Sequence, residues 1–510
     1  MIASGESPVL APLNPVEELL GGAAGSLPTL LAARVARTPA APFLRWQDRV
    51  WSYGEAWEES LRFAAWVGGA LTGSRSRRVA SFLPNRPETL WSWFGTLAAG
   101  AAYVPLNRGH RGRILADMID RSGATVLVTD AAGAADLPDL GAGGVRVFLV
   151  EEWDEVRAHE PALPVAPGPG ELAELLYSSG TTGRSKAVEL SHNQLCRGAG
   201  WVAWSLGLGP ADVFHAWMPL FHVGGQVDTV LPTVVGGGSL ALHPTFSRSR
   251  FWDQVEEAGA TVFIGFANVA RMLCAQPPRP EDAASTLRVG MTGAMPAQLS
   301  REFEARFGVP LLDVYGMTEI EPMLLPAPGE TTPAGSCGRP NPDLEVVVLG
   351  ADGAAAGEGV VGEIACRARR PDVLTSGYEG DPEASAAAFR GGWFHSGDLG
   401  RVDEGGHFYF VDRVKHSIRH RGENVSSWEL ESIVESAPGV AECCALGVPA
   451  ELGEEDVKLV VVAADGALDP DELRRWCEGR MAAFMVPRYI EVVPELPRDG
   501  SGKVRKEELR

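Results

Sequence analysis

Short apolar runs separated by longer helical patterns constrain this chain most, because few architectures accommodate that alternation. Arg78-Val79-Ala80-Ser81-Phe82-Leu83 precedes a helix-like stretch from Glu88 to Ala102, and Thr125-Val126-Leu127-Val128 follows it. The order returns with runs at Val213 to Met218, Thr261 to Phe266 and Leu311 to Tyr315, and with a helical stretch from Ser300 to Phe307. Strands joined through helices make parallel βαβ units, so the fold class is α/β and catalytic groups belong on loops at strand ends. The proline- and glycine-rich stretches from Pro161 to Gly170 and from Leu325 to Gly335 read as surface connections. The texture changes after Asp412-Arg413-Val414-Lys415. Beyond it, Ser426-Ser427-Trp428-Glu429 has capping-box spacing, Val457 to Ala464 reads as a strand, and Asp469-Pro470-Asp471-Glu472 opens a helix with an N-cap and a first-turn proline. These features predict a large N-terminal domain over residues 1–414 and a small α+β domain over residues 415–510. No internal repeat or low-complexity tract is evident.

One loop carries chemistry on its face. Tyr177-Ser178-Ser179-Gly180-Thr181-Thr182-Gly183-Arg184-Ser185-Lys186 follows the strand-like run Leu172 to Tyr177, so it leaves the end of a strand. Glycine lets successive backbone N–H groups turn toward phosphate oxygens, the serine and threonine hydroxyls add donors, and Lys186 adds charge. The spacing of Gly180, Gly183 and Lys186 differs from Gly-x-x-x-x-Gly-Lys-Ser/Thr, which argues against a P-loop NTPase. The other reading of the same residues is an ordinary solvated turn.

Composition narrows the setting. A formal net charge of −21 disfavours nonspecific binding to nucleic acid or anionic membrane, so a polyphosphate must be met by a local positive site. The seven cysteines are scattered without a Cys-x-x-Cys pair, which indicates neither a disulfide framework nor a zinc site and suits a reducing cytoplasm. Met1 to Leu20 lacks the layout of an export signal, and no run of about 18 apolar residues occurs, so neither export nor a membrane span is expected.

Further segments join the loop: Met218-Pro219-Leu220-Phe221-His222, Tyr315-Gly316-Met317-Thr318-Glu319, Gly392-Trp393-Phe394-His395-Ser396-Gly397-Asp398, Asp412-Arg413 with Gly422-Glu423-Asn424, and Gly500-Ser501-Gly502-Lys503. In this order and at these intervals the chain resembles the adenylate-forming superfamily of acyl-CoA synthetases, peptide-synthetase adenylation domains and luciferases, from about Leu30 onward. Phe251 to Met317 and Phe408 to Glu431 resemble the crotonobetaine/carnitine-CoA ligase-like branch in particular.

That resemblance implies a two-step reaction in which a carboxylate attacks the α-phosphate of ATP, pyrophosphate leaves, and the acyl-AMP passes its acyl group to CoA. It implies that Thr181, Thr182, Gly183 and Lys186 hold the β- and γ-phosphates and that Ser178, Ser179 and Gly180 belong to the same nucleotide-binding loop. It places Glu319 on Mg²⁺, Thr318 on the α-phosphate, and Tyr315 on adenine. Gly293, Ala294, Asp313 and Gly316 join the nucleotide site, and Asp398 and Arg413 take the ribose and its surroundings. Lys503 is implied to reach the α-phosphate and the reacting carboxylate from a mobile small domain that hinges at Lys415. Rotation there would withdraw Lys503 and bring Gly422 in for thioester formation. His222 is implied to act as a gate of the acyl pocket.

Peptide-synthetase domains carry aspartate at the position of His222 to pair an α-ammonium, so an α-amino acid substrate is disfavoured here. The acyl pocket is expected around His222 to Asp228, Phe266 to Val269, Met291 to Ala294 and Gly316 to Glu321. Asp228 and Glu321 are acids near that pocket and are candidates for binding a cationic or amino-bearing substrate. The chain departs from the commonest phosphate-loop pattern at Ser185, where proline is usual, and at Ala187, where glycine is usual. No carrier domain follows Arg510, so CoA or a separate carrier protein is the expected acceptor. Two alternatives share the ATP machinery or its remnant: an ATP-dependent diazotase that activates nitrite for attack by an aromatic amine, and a nucleotide-binding pseudoenzyme. Retention of Lys186, Glu319, Asp398, Arg413 and Lys503 argues against the second.

Overall fold

A computed structural model of the chain describes residues 12–510 apart from 23–24, 75, 141–143, 179–184, 294, 415–417, 421–422, 451–454, 465–467, 479, 482 and 499–502, and without the side chains of residues 419, 423, 424 and 429. Its internal contacts define two compact units, one of Met1–Val346 with Cys366–Trp393 and one of Val347–Ala365 with Phe394–Arg510. The small domain expected over 415–510 lies wholly within the second unit.

The first unit is built on two mixed sheets. In the six-stranded sheet the order is Arg146–Leu149, Val126–Thr129, Arg78–Phe82, Ala102–Pro105, Leu172–Ser178 and Lys186–Ser191. All neighbours are parallel except the last two, which pair antiparallel. The nine-stranded sheet runs Arg339–Pro340, Ile320–Leu325, Leu311–Met317, Val289–Gly293, Val262–Ile264, Val213–Ala216, Ser239–Leu242, Pro42–Trp46 and Arg49–Ser52. Its interior from Leu311–Met317 to Pro42–Trp46 is parallel, and its outer strands are antiparallel.

The βαβ expectation therefore holds for the interior of both sheets. It fails to anticipate that the phosphate loop joins two antiparallel strands as a hairpin, because a Gly/Ser/Thr turn of this length leads equally well into a strand or a helix. The helix-like stretch from Glu88 to Ala102 divides as well. The helix is Pro87–Ala98, Gly100 takes the left-handed conformation at φ 67° that stops it, and Ala102 already belongs to the next strand.

Helices Tyr53–Ala70, Pro87–Ala98 and His192–Leu206 contribute to one continuous apolar core. The first of them starts with a complete capping box, in which Glu55 N–H donates to Ser52 Oγ and Ser52 N–H donates to Glu55 Oε2.

The second unit contains, apart from Trp393 at its start, the antiparallel pair Trp393–Val402 and Phe408–Arg413. It also contains a three-stranded sheet ordered Val440–Pro449, Glu455–Ala463, Tyr489–Val493. Helices Ser427–Val434 and Pro470–Glu478 supply Leu430, Val434, Leu473 and Cys477 to a core shared with Ala445, Val457, Leu459 and Val461 of that sheet. The proline of Pro470–Glu478 occupies the first helical position, as its sequence signature requires.

Candidate active site

Parallel strands leave their C-terminal ends side by side, and the first unit gathers its polar groups there. Val289–Gly293 and Leu311–Met317 pair in register with Gly293 opposite Val314, so Gly293, Tyr315 and Gly316 emerge together. Asp313 Oδ2 accepts the Met295 N–H at 3.2 Å and ties the loop after Gly293 to the neighbouring strand. Tyr315 is buried, whereas Gly316 near the strand's end and Thr318 and Glu319 in the turn that follows are half-buried.

Asn85 sets the position of another strand end. Its Nδ2 donates to the carbonyls of Trp217, Met218 and His243 at 3.2, 2.9 and 3.1 Å, and its Oδ1 accepts the Leu220 N–H at 2.9 Å. One buried amide thus fixes the loop that leads to His222. His222 then caps the short helix Val223–Gly225, with Nδ1 accepting the Gly224 N–H at 3.1 Å. That bond assigns the ring proton to Nε2.

The phosphate-loop lysine and the carboxylate assigned to magnesium meet at a residue that sequence reasoning missed. Lys186 Nζ lies 4.3 Å from the centre of the Tyr378 ring. The Tyr378 hydroxyl donates to Glu319 Oε1 at 2.8 Å. Burial first, and then the adjacent Glu319 charge, raise the Tyr378 pKa, so the phenol stays protonated and acts as a donor. Tyr378 reaches this place because Gly377 to Glu379 run alongside the Lys186–Ser191 strand, with Glu189 N–H donating to Gly377 carbonyl and Glu379 N–H to Ala187 carbonyl. In the bare sequence it is one aromatic after a Ser-Gly turn, which any core tyrosine resembles. Gln194 is a second missed residue: its Nε2 donates to the Glu319 carbonyl at 2.8 Å and fixes the turn from behind.

Two acids lie deeper. Asp228 sits in the π-helical turn Gln226–Val230 and Glu321 in the strand Ile320–Leu325, with 6% and 9% of their surfaces exposed. Burial raises the Asp228 pKa well above the usual carboxylate range, and burial with the Asp228 charge does the same to Glu321. The Glu321 carboxyl rests directly on Gly316, where an added Cβ would fall 2.3 Å from Oε2. The Asp228 carboxyl and the His222 ring flank Gly224 in the same way, at 3.6 and 3.3 Å from the position of an added Cβ.

Asp398 and Arg413 belong to the second unit. They are cross-strand partners, with Arg413 Nε 3.5 Å from Asp398 Oδ1. Ser396 holds the turn before them, accepting the Asp398 N–H at 3.1 Å and donating to Ile364 carbonyl at 2.6 Å. Lys503 is exposed at the start of the last segment. Three residues on, Lys506 is half-buried, and its Nζ donates to Ser427 Oγ, Glu431 Oε1 and Ala445 carbonyl at 2.8, 2.7 and 3.0 Å. Burial works to lower the Lys506 pKa, but the Glu431 carboxylate outweighs it and the net shift is upward.

Of the residues singled out in the sequence, the first unit thus holds Ser178, Lys186, His222, Gly293, Asp313, Tyr315, Gly316, Thr318 and Glu319, and the second holds Asp398, Arg413 and Lys503. Ser179, Gly180, Thr181, Thr182, Gly183, Ala294, Lys415 and Gly422 lie outside the described residues.

Comparison with known proteins identifies the family and the fold. Residues 31–378 match the AMP-binding enzyme family, and residues 429–503 match the AMP-binding enzyme C-terminal domain. The chain is 35% identical over 438 residues to a feruloyl-CoA synthase from Amycolatopsis sp, covering 85% of this chain and 88% of the relative. It is 33% identical over 487 residues to the crotonobetaine/carnitine-CoA ligase of Salmonella paratyphi A, covering 91% and 93%. Among solved structures, ATP-bound MatB from Rhodopseudomonas palustris superposes with a TM-score of 0.86 at 26% identity over 98% of each chain.

Proposed function

The chain belongs to the AMP-binding enzyme family, and from that premise we propose which of its residues carry each part of the ligase reaction. The reaction is ATP-dependent adenylation of a carboxylic acid followed by transfer of the acyl group to CoA. In the first step a carboxylate oxygen forms a bond to the α-phosphorus while the bond to the bridging oxygen breaks and pyrophosphate departs. In the second, the CoA sulfur bonds to the acyl carbon and AMP leaves. Activation of nitrite finds no support among the relatives, which are acid–thiol ligases.

The observation that carries the assignment is the trio Lys186, Tyr378 and Glu319. One tyrosine holds a cation over its ring and an anion at its hydroxyl, so the two charges are kept near each other without neutralising one another by direct contact. Lys186 is then available to the β- and γ-phosphates together with Ser178, Ser179, Gly180, Thr181, Thr182 and Gly183. Glu319 would hold Mg²⁺, and its environment suits that ion. Among the described residues no three His, Cys, Asp or Glu side chains converge as a metal cage. Magnesium is commonly held by one or two carboxylates with phosphate oxygens and water. When bound it would neutralise charge on the phosphates. Thr318, in the same turn, supplies a hydroxyl to the α-phosphate, and Tyr315, Gly293, Ala294, Asp313 and Gly316 complete the nucleotide side.

Asp398 accepts the ribose hydroxyls and Arg413 steadies its carboxylate, a role supported by their ion pair. Lys503 neutralises charge at the α-phosphate and the attacking carboxylate during adenylation. Residues 415–510 turn about Lys415 between the two steps, bringing Gly422 to the site for thioester formation. His222, held as a helix cap, gates the acyl pocket with its Nε2 edge. A cytoplasmic setting fits cysteines that stand as thiols and described residues in which no helix is long and apolar enough to cross a membrane.

The test is a product analysis with a panel of aliphatic and aromatic acids. AMP and a thioester should accumulate together only when acid, ATP, Mg²⁺ and CoA are all present, while pyrophosphate exchange into ATP should proceed without CoA. AMP release that needs nitrite and an amine but no thiol would overturn the assignment.

A further inference from the structure

Two carboxyls buried side by side are costly unless a cation compensates them. Asp228 and Glu321 are such a pair, near enough for the charge of one to act on the other. Among the described residues no lysine or arginine forms an ion pair with either, and burial and the pair itself are what act on them. Asp228 Oδ1 has no hydrogen-bond partner although 94% of the residue is buried (6% exposed).

A third acceptor comes from Gln194, on helix His192–Leu206. Its Nε2 is committed to the Glu319 carbonyl, and its Oε1 is buried without a partner. The same helix packs on Glu321 one turn later, where an added Cβ at Gly198 would fall 2.2 Å from the Glu321 carbonyl oxygen. The acceptors belong to the elements that carry the acyl site: Glu321 lies on Gly316, in the turn that leads to Thr318 and Glu319, and Asp228 lies beside Gly224 and His222.

The surroundings thus hold two carboxyls that burial pushes toward the neutral form and, at Asp228 Oδ1 and Gln194 Oε1, acceptors without a hydrogen-bond partner. An ammonium supplies three N–H donors and one positive charge, matching both deficits. A bound metal matches them less well, because no three His, Cys, Asp or Glu side chains converge as ligands among the described residues and His222 Nδ1 is already engaged by Gly224.

We propose that Asp228, Glu321 and Gln194 form a subsite for an ammonium group, and that the acid this enzyme activates bears that group at the end remote from its reacting carboxylate. The proposal rests on the adenylation reading above, which fixes where the carboxylate lies. Asp228 and Glu321 determine specificity in this scheme, and neither touches the reacting atoms.

The experiment compares matched acids by pyrophosphate release: an ω-aminoalkanoate against the alkanoate in which methyl replaces ammonium, and para-(aminomethyl)benzoate against para-ethylbenzoate. The wild-type enzyme should favour the ammonium member of at least one pair by about tenfold or more in kcat/KM. Asp228→Asn and Glu321→Gln should each cut that ratio by about tenfold, mainly through KM. Preference for the neutral member of both pairs, or a ratio that neither variant moves, overturns the proposal while leaving adenylation intact. Failure of the adenylation reading looks different, since no acid of either kind would then release pyrophosphate.

Discussion

Replacing Glu174 by glutamine should stabilise the first unit, and by an amount that grows with pH. Glu174 is fully buried in the strand Leu172–Ser178 that leads to the phosphate loop. Oε1 accepts the Trp93 indole N–H at 2.5 Å, while Oε2 is buried without a partner. A protonated carboxyl tolerates that position better than a carboxylate does. Burial, opposed by the hydrogen bond from Trp93, moves its pKa from the ordinary 4.5 up to about 8.

The folded state therefore binds a proton that the unfolded chain releases. The stability this group contributes is fully present below pH 4.5 and is lost as pH rises toward 8. The loss is about 1.4 kcal/mol per pH unit, or on the order of 3–5 kcal/mol across the whole interval. Glu174→Gln keeps the shape and the acceptor for Trp93 but carries no ionisable proton. Urea unfolding followed by tryptophan fluorescence, run on both proteins between pH 5 and 8, isolates the term because other groups cancel in the difference. The two should be within about 1 kcal/mol at pH 5, and the variant should exceed wild type by about 3 kcal/mol near pH 8. Parallel stability profiles would show that Glu174 is ionised in the fold and that the reasoning fails.

Three further outcomes follow from single contacts. Tyr378→Phe removes the hydroxyl that donates to Glu319; a bond to a charged group contributes about 1.5–3 kcal/mol, so kcat/KM for pyrophosphate release should fall roughly tenfold to a hundredfold, and unaltered kinetics would remove Tyr378 from the site. Lys506→Met leaves the half-buried Glu431 without its cation, which should cost the second unit about 1.5–3 kcal/mol and slow exchange by loosening the tail that carries Lys503, while ATP binding measured calorimetrically stays within a few-fold of wild type. Gly198→Ala would set a methyl 2.2 Å from the Glu321 backbone carbonyl and should lower the melting temperature through an overpacking cost of about 1–3 kcal/mol; a wild-type melting curve would mean that helix and strand separate freely.

The parts of this molecule legible in the sequence are those encoded by local period and local chemistry. Apolar runs such as Val126 to Thr129 are completely buried central strands, and the Asp469-Pro470 start produced the helix it signals. The phosphate hairpin was half legible: its first strand shows in Leu172 to Ser178, but the antiparallel return at Lys186–Ser191 depends on pairing partners. Tyr378 and Gln194 were illegible because their roles come from contacts 59 and 125 residues away in sequence. Asn85 hid for the same reason, since an asparagine before a proline-capped helix reads as a turn residue until the loop it holds is folded over it. Lys506 illustrates a different gap, because one tail lysine cannot be told from another by sequence, yet Lys503 is exposed and Lys506 is half-buried against Glu431.

The assignment of adenylation to these residues depends most on Lys503. Pyrophosphate exchange into ATP, measured with a turned-over acid in the absence of CoA, reads the first step alone. Lys503→Ala should abolish exchange, with a loss of about a hundredfold or more, while calorimetry shows ATP bound with nearly wild-type affinity. Exchange at the wild-type rate in that variant would contradict the account at its centre.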